Sequence, residues 1–313
     1  MSGQQISSDD HRVDAAALVG ETTDPLQNQP DLTYWQDVRT RFLRNRVAVV
    51  GLVMFASLAL FAIVGPIILQ GDYKSARAGL QLNRLGSHYG ILGTDDLGRD
   101  ILHRVVRGLG ISLRLAAAVA SITTLLGMVL GGLAGYFGGW VDNLISRTVD
   151  AVYAIPYVII GIAVITVFGS SFITVFATLV AVGWLSTARL FRAAVLQVRN
   201  QDYIEAARAT GASSKRILMS HVVPNALPPI IVSIAFAIAG AILAESIYSF
   251  LGIGFIEPTP SIGVMIRSGR NNFQQAPHLL LVPATILIVL TLSIVFIGDG
   301  LRDALDPKLR GSD

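Results

Sequence analysis

The sequence predicts an all-α integral membrane protein with six transmembrane helices and both termini on the cytosolic side. Three observations lead there. Only 14% of the 313 residues are charged, against roughly 25% in soluble chains, and the mean hydropathy is +0.60. Six apolar stretches reach the about 20 residues that a helix needs to cross a hydrocarbon core. Strand-type alternation is absent from them, and lipid offers the backbone no hydrogen-bond partners, so helices rather than a barrel are expected.

Residues 1–33 are rich in Ser, Asp, Gln and Thr and hold no apolar stretch that could serve as a signal-peptide core. A disordered cytosolic tail is expected. Residues 34–46 (YWQDVRTRFLRNR) place Trp35, Val38, Phe42 and Leu43 at helical spacing among Arg39, Arg41, Arg44 and Arg46. That pattern predicts an amphipathic helix in the membrane interface, with a solvated basic linker as the alternative. A transmembrane domain over 47–309 follows, with spans at Val47–Leu69, Ser112–Phe137, Leu144–Phe168, Phe172–Phe191, Pro229–Tyr248 and Leu279–Gly298. Between them lie outer segments at 70–111 and 249–278 and a cytosolic loop at 192–228. Gly169-Ser170-Ser171 joins the third and fourth spans as a tight hairpin. Most basic residues outside the spans fall at 1–46, 189–216 and 302–310, which places both termini inside. Gly127, Gly131, Gly135 and Gly139 recur every fourth residue in and after the second span, a spacing that lets helix backbones approach closely.

The composition also excludes chemistry. There are no cysteines, so disulfides, thiolate metal sites and cysteine nucleophiles are ruled out. A net charge of +3 from 24 basic and 21 acidic residues is too even to point to nucleic acid. The lysines are Lys74, Lys215 and Lys308, none preceded by glycine, so no phosphate-binding P-loop is present. His11, His88, His103, His221 and His278 are too scattered to suggest a metal site. Energised work would therefore draw on an ion gradient or on another polypeptide. A gradient-driven carrier needs ionisable groups inside the bilayer. Asp150 and Glu245 are the candidates, each either lining a pore or pairing helices.

The informative stretch is the cytosolic loop, QDYIEAARATGASSKRILMSHVVPNALPP, over 201–229. Ile204, Ala207, Ala209 and Ile217 to Met219 give short helices with one apolar face. Gly211 closes the first helix, a following serine caps the second and Pro224 stops it. The result is a helix-turn-helix with small residues at its tip, where Glu205 and Arg208 could fix the register against a partner.

Glu205-Ala206-Ala207, Gly211 and His221-Val222-Val223-Pro224-Asn225 resemble the E-A-A loop of ATP-binding-cassette (ABC) importer permeases. The H-x-x-P-N ending is similar to that of the dipeptide/oligopeptide/nickel branch. Gly93-Thr94-Asp95-Asp96-Leu97-Gly98-Arg99-Asp100 resembles an outer element of the second permease type in peptide systems. Ala134 to Gly139 with Asp142, and Ser249 to Gly254 followed by Pro258 to Gly263, resemble two further family segments, with Ile262 where Trp is usual.

The resemblance covers about residues 34–309 and implies the type I importer permease fold. It implies a multi-pass subunit of the bacterial cytoplasmic membrane that is not itself an enzyme and binds no cofactor. ATP and Mg would sit on two ATPase partners, beside a homologous second permease and an extracytoplasmic substrate-binding protein. Glu205, Ala206, Ala207 and Gly211 would dock on the ATPase, while His221, Pro224 and Asn225 set the exit angle of the loop. Di- and oligopeptides are the expected substrates, with nickel chelates or glutathione as the alternative.

Overall fold

The structure, a computed structural model, describes residues 33–69, 72–76, 79–86 and 90–306. The expected tail, apart from Thr33, lies outside the described residues. Helix α1 (Tyr34–Arg44) leaves Trp35 and Leu43 exposed and rests against the first and last spans. It ends at Asn45, whose side-chain oxygen accepts from the Val47 and Ala48 amides at 3.0 and 3.2 Å. That cap starts α2 (Arg46–Ile68), the first span.

Helix α3 (Ile101–Phe137) is 37 residues long, so it absorbs the end of the outer segment expected over 70–111. At 1.5 Å per residue it measures about 55 Å and projects well beyond a bilayer core. The reason is local: Asp100 caps its start by accepting from the Leu102 and His103 amides at 2.8 and 3.3 Å. Ile101, Val105, Val106 and Leu109 then supply a buried face before the expected Ser112 start.

The third span corrects the expectation of one continuous helix over Leu144–Phe168. It is two helices, α4 (Gly139–Tyr153) and α5 (Tyr157–Phe168), bent by 80° at Ala154-Ile155-Pro156. Pro156 has no amide hydrogen and drives the residue before it out of the helical region. Hydropathy does not fall across the elbow, so composition concealed it.

Helix α6 (Phe172–Arg199) descends from a Ser171 cap and carries on past Phe191, so the cytosolic loop is shorter than 192–228. The loop holds α7 (Asp202–Ala209), α8 (Ser214–Ile217), a π turn over Leu218–Val222, and α9 (Val223–Ala226). Pro224 sits in the first turn of α9 instead of stopping the second helix. The Val223 amide reaches the Leu218 carbonyl five residues back. Helix α10 (Pro228–Leu251) returns to the outer side, α11 (Ile262–Asn271) lies there, and α12 (His278–Leu305) descends. Five helices are long and apolar enough to span a membrane, and α4 with α5 together meet the same test as a bent pair, six in all when that pair is one span. No strand occurs among the described residues, only an isolated bridge between Thr94 and Asp100.

Helix α3 is the central post. Gly127, Gly131 and Gly135 bring it against Thr187, Ala188, Arg192 and Val195 of α6. A Cβ on Gly131 would strike the Ala188 carbonyl oxygen. Gly139 is not part of this ladder: it begins α4 with φ +56° and open space around it. We therefore expect Gly131→Val to cost about 1–3 kcal/mol by overpacking. Gly240→Ala in α10, where a Cβ meets nothing within 4 Å, should be neutral or stabilising by up to about 1 kcal/mol. Thermal unfolding in detergent measures both.

Candidate functional site

On the inner side, α7 and α8 form a tight hairpin. Its turn needs the left-handed backbone of Gly211, φ +84°, with nothing near its missing side chain. The Ala212 amide donates to the Ala207 carbonyl at 3.1 Å, and Ser213 Oγ accepts from the Arg216 amide at 3.4 Å to start α8. Ile204 and Ile217 are buried with Val222, Ala226, Ile230, Phe191, Val195 and Tyr136. This cluster fastens the hairpin to α3, α6 and α10.

The structure divides the residues read from the sequence into two groups. Glu205, Ala206 and Gly211 are exposed at the tip, while Ala207 leans on the cluster. His221, Pro224 and Asn225 sit at the stem, where Asn225 Nδ2 donates to the His221 carbonyl at 2.6 Å. Tyr203, which the sequence reading passed over, and Met219, which it placed on an apolar face, are exposed large apolar side chains of the same loop.

Between α3, the α4–α5 elbow, α6 and α10 lies the largest cavity described, of about 760 Å³. Val119, Leu179, Phe236 and Ile247 make it mainly apolar, and Thr123, Tyr153, Tyr157, Ser186 and Ser233 add polar groups. None of its lining residues is charged. The two intramembrane carboxylates lie elsewhere. Glu245 is fully buried and accepts from Ser112 Oγ at 3.1 Å and Ser249 Oγ at 2.7 Å, locking α10 to α3. Asp150 pairs with Arg189 Nη2 of α6 at 2.7 Å and lines a second cavity of about 380 Å³.

On the outer side, the segment Gly93 to Asp100 is a folding device. Gly93 and Gly98 take φ of +79° and +74°. Thr94 Oγ1 accepts from the Asn83 amide at 3.0 Å and donates to the Leu80 carbonyl. Asp95 accepts from the Leu97 and Arg99 amides and pairs with Arg99 Nε at 2.6 Å. Arg99 and Arg104 each reach Glu257 at 2.7 Å, and Arg104 Nε lies 3.6 Å from Asp95. Two arginines and two carboxylates thus close a ring that joins the start of α3 to the loop before α11. Burial pulls the Arg99 guanidinium down, but Glu257 and Asp95 outweigh it and raise its pKa above the usual value. Arg104 and Glu257 were not legible from the motif, because they pair across more than 150 residues of chain.

No group of His, Asp or Glu among the described residues could hold a metal ion. The arrangement provides instead a mainly apolar cavity, an outer ring of ion pairs and an exposed inner hairpin.

Comparisons with known proteins agree in kind. Residues 127–311 match the family described as binding-protein-dependent transport system inner membrane component. Residues 33–84 match the N-terminal TM domain of oligopeptide transport permease C. The oligopeptide transport system permease protein OppC of Escherichia coli K12 is 39% identical over 279 residues, 88% of this chain and 92% of that protein. OppC of Bacillus subtilis 168 is 35% identical, covering 90% of this chain and 92% of its own. The dipeptide transport system permease protein DppC of Alkalihalophilus pseudofirmus is 34% identical, covering 92% and 96%. In three dimensions the chain is similar to a chain of the MetNI methionine ABC transporter in an inward-facing conformation. That match has a TM-score of 0.53 at 18% identity and covers 65% of this chain and 96% of that one.

Proposed function

Since the chain belongs to the inner-membrane components of binding-protein-dependent transport systems, we propose that it forms one half of the pathway of an ABC importer of di- and oligopeptides. Its place is that of a multi-pass permease subunit in the bacterial cytoplasmic membrane. What supports the peptide reading above all is the match at both ends of the chain. The N-terminal segment resembles that of oligopeptide permease C, and relatives named for oligopeptides or dipeptides align over about nine-tenths of the sequence.

In this reading a homologous permease completes the pathway, and two ATPase subunits bind and hydrolyse ATP with Mg. An extracytoplasmic binding protein delivers the peptide to the outer ring. The α7–α8 hairpin inserts its tip, with Glu205, Ala206 and Gly211, into an ATPase cleft. Because Ile204 and Ile217 fasten the hairpin to α6 and α10, motion of the ATPases reaches two of the helices that line the large cavity. Such coupling requires contacts that differ between the open and closed states of the ATPase pair.

The test is reconstitution of this chain with its sister permease and ATPases in liposomes, supplied with loaded binding protein. ATP-dependent accumulation of labelled di- to pentapeptides is expected. Gradient-driven transport by the chain alone, or accumulation of nickel chelates but no peptide, would overturn the reading.

A further inference from the structure

The charges at the α4–α5 elbow are arranged differently from every other ion pair in the spans. Arg189 of α6 donates to Asp150 through Nη2 alone, and its guanidinium lies 4.2 Å from the centre of the Tyr153 ring. Tyr153 lines the large apolar cavity, whereas Asp150 and Arg189 line the second cavity beside it. The cluster therefore stands where one cavity gives way to the other. The side chains of Arg189 and Asp150 are 51% and 65% exposed.

Their place beside two cavities makes that exposure informative. Arg189 falls near the inner end of the expected span Phe172–Phe191, ten residues before the end of α6, which carries on past that span. As both charges line a cavity, they face water, a pathway or another subunit. Arg192, three residues on, is not comparable, because Asp142 grips it with two bonds of 2.5 and 2.7 Å. Arg189 keeps further donors in its planar fork, above the Tyr153 ring, and one Asp150 oxygen is unbonded among the described residues.

We infer that Asp150, Tyr153 and Arg189 form an exchange station for the charged ends of a transiting peptide. This deepens the peptide-import reading and rests on it. The α-carboxylate of the peptide takes the place of Asp150 on the Arg189 fork, a bidentate geometry suited to guanidinium. Asp150, released, receives an α-ammonium group. One arginine–carboxylate pair is traded for another, so the net change is small. That suits passage, in which a ligand must bind well enough to enter and weakly enough to leave. A lone arginine would instead hold the carboxylate and stall it.

The experiment uses the assembled transporter in liposomes with saturating binding protein loaded with an unblocked tripeptide, and reads peptide imported per ATP hydrolysed. Asp150→Asn leaves Arg189 without its internal competitor, and the ratio should fall about tenfold as the peptide carboxylate is held on the fork. Arg189→Gln should fall similarly. The double variant Asp150→Asn/Arg189→Gln, with no trap left, should recover above Asp150→Asn. The exchanged pair Asp150→Arg/Arg189→Asp restores the bridge but moves the cation off Tyr153, and should stay low. Full recovery in the exchanged pair makes the bridge structural only and overturns the proposal, as do ratios at the wild-type level in both single variants. Failure of the unsubstituted transporter to import any peptide overturns the peptide reading itself, and shows before any substitution is made.

Discussion

Asp95→Ala should be the most destabilising single change in the outer half of the molecule, by about 3–5 kcal/mol, the scale for stranding a buried charge. Asp95 is 3% exposed. Its loss leaves Arg99 and Arg104, 4% and 1% exposed, sharing one remaining carboxylate, and unties the Leu97 and Arg99 amides. Glu257→Ala removes the other corner of the ring, but the Glu257 side chain is 39% exposed. Water reaches that corner, so its cost should be lower, about 1–3 kcal/mol. Denaturant or thermal unfolding of the detergent-solubilised chain orders the two. If Glu257→Ala proves the worse, the ring is anchored from the α11 side and Asp95 is only a turn former. Replacement of all four members by packed apolar residues need not destabilise, since desolvation offsets much of what a buried ion network returns.

That ring also shows which part of the architecture the sequence can carry. Gly93 to Asp100 was legible as a family element and not as a structure, although Gly93 and Gly98 take positive φ and Asp100 caps α3. The partners Arg104 and Glu257 come together only when α3 and the α10–α11 loop pack, and no local pattern marks that event. The same division runs through the membrane. Hydropathy located the spans because burying about 20 apolar residues dominates every other local preference. For that same reason it could not reveal the elbow at Pro156, where the chain bends without becoming polar. The glycine ladder was legible, since only a close helix contact needs small residues at every fourth position. The large cavity was not: Thr123, Ser186 and Ser233 are ordinary membrane-helix residues, and only tertiary packing gathers them around one space. In the inner loop, Gly211 and Ser213 declared the turn between α7 and α8. Exposure separated Glu205 at the tip from Ala207 in the cluster, a distinction that adjacent letters of one motif do not make.

Separating tip from base gives the second large effect, a loss of transport without loss of fold. Glu205 is exposed, so Glu205→Arg should shift unfolding by no more than about 0.5 kcal/mol. Reversal of a charge at a complementary protein contact costs several kcal/mol, and each 1.4 kcal/mol is about tenfold in affinity. ATPase binding and ATP-driven uptake should therefore fall by at least about a hundredfold. Ile204→Ala acts on the other side of the same helix. Ile204 is fully buried, and its truncation should cost about 2–5 kcal/mol, loosening the hairpin from α6 and α10. That variant should still bind the ATPases through an unaltered tip yet import poorly, because the motion is no longer passed on. Affinity of the detergent-purified permease pair for its ATPases, measured beside uptake in liposomes, distinguishes the two. Were Glu205→Arg to bind and import normally while Ile204→Ala lost ATPase binding, the contact would have to lie at the stem, around His221 and Asn225, and the exposed tip would have no part in it.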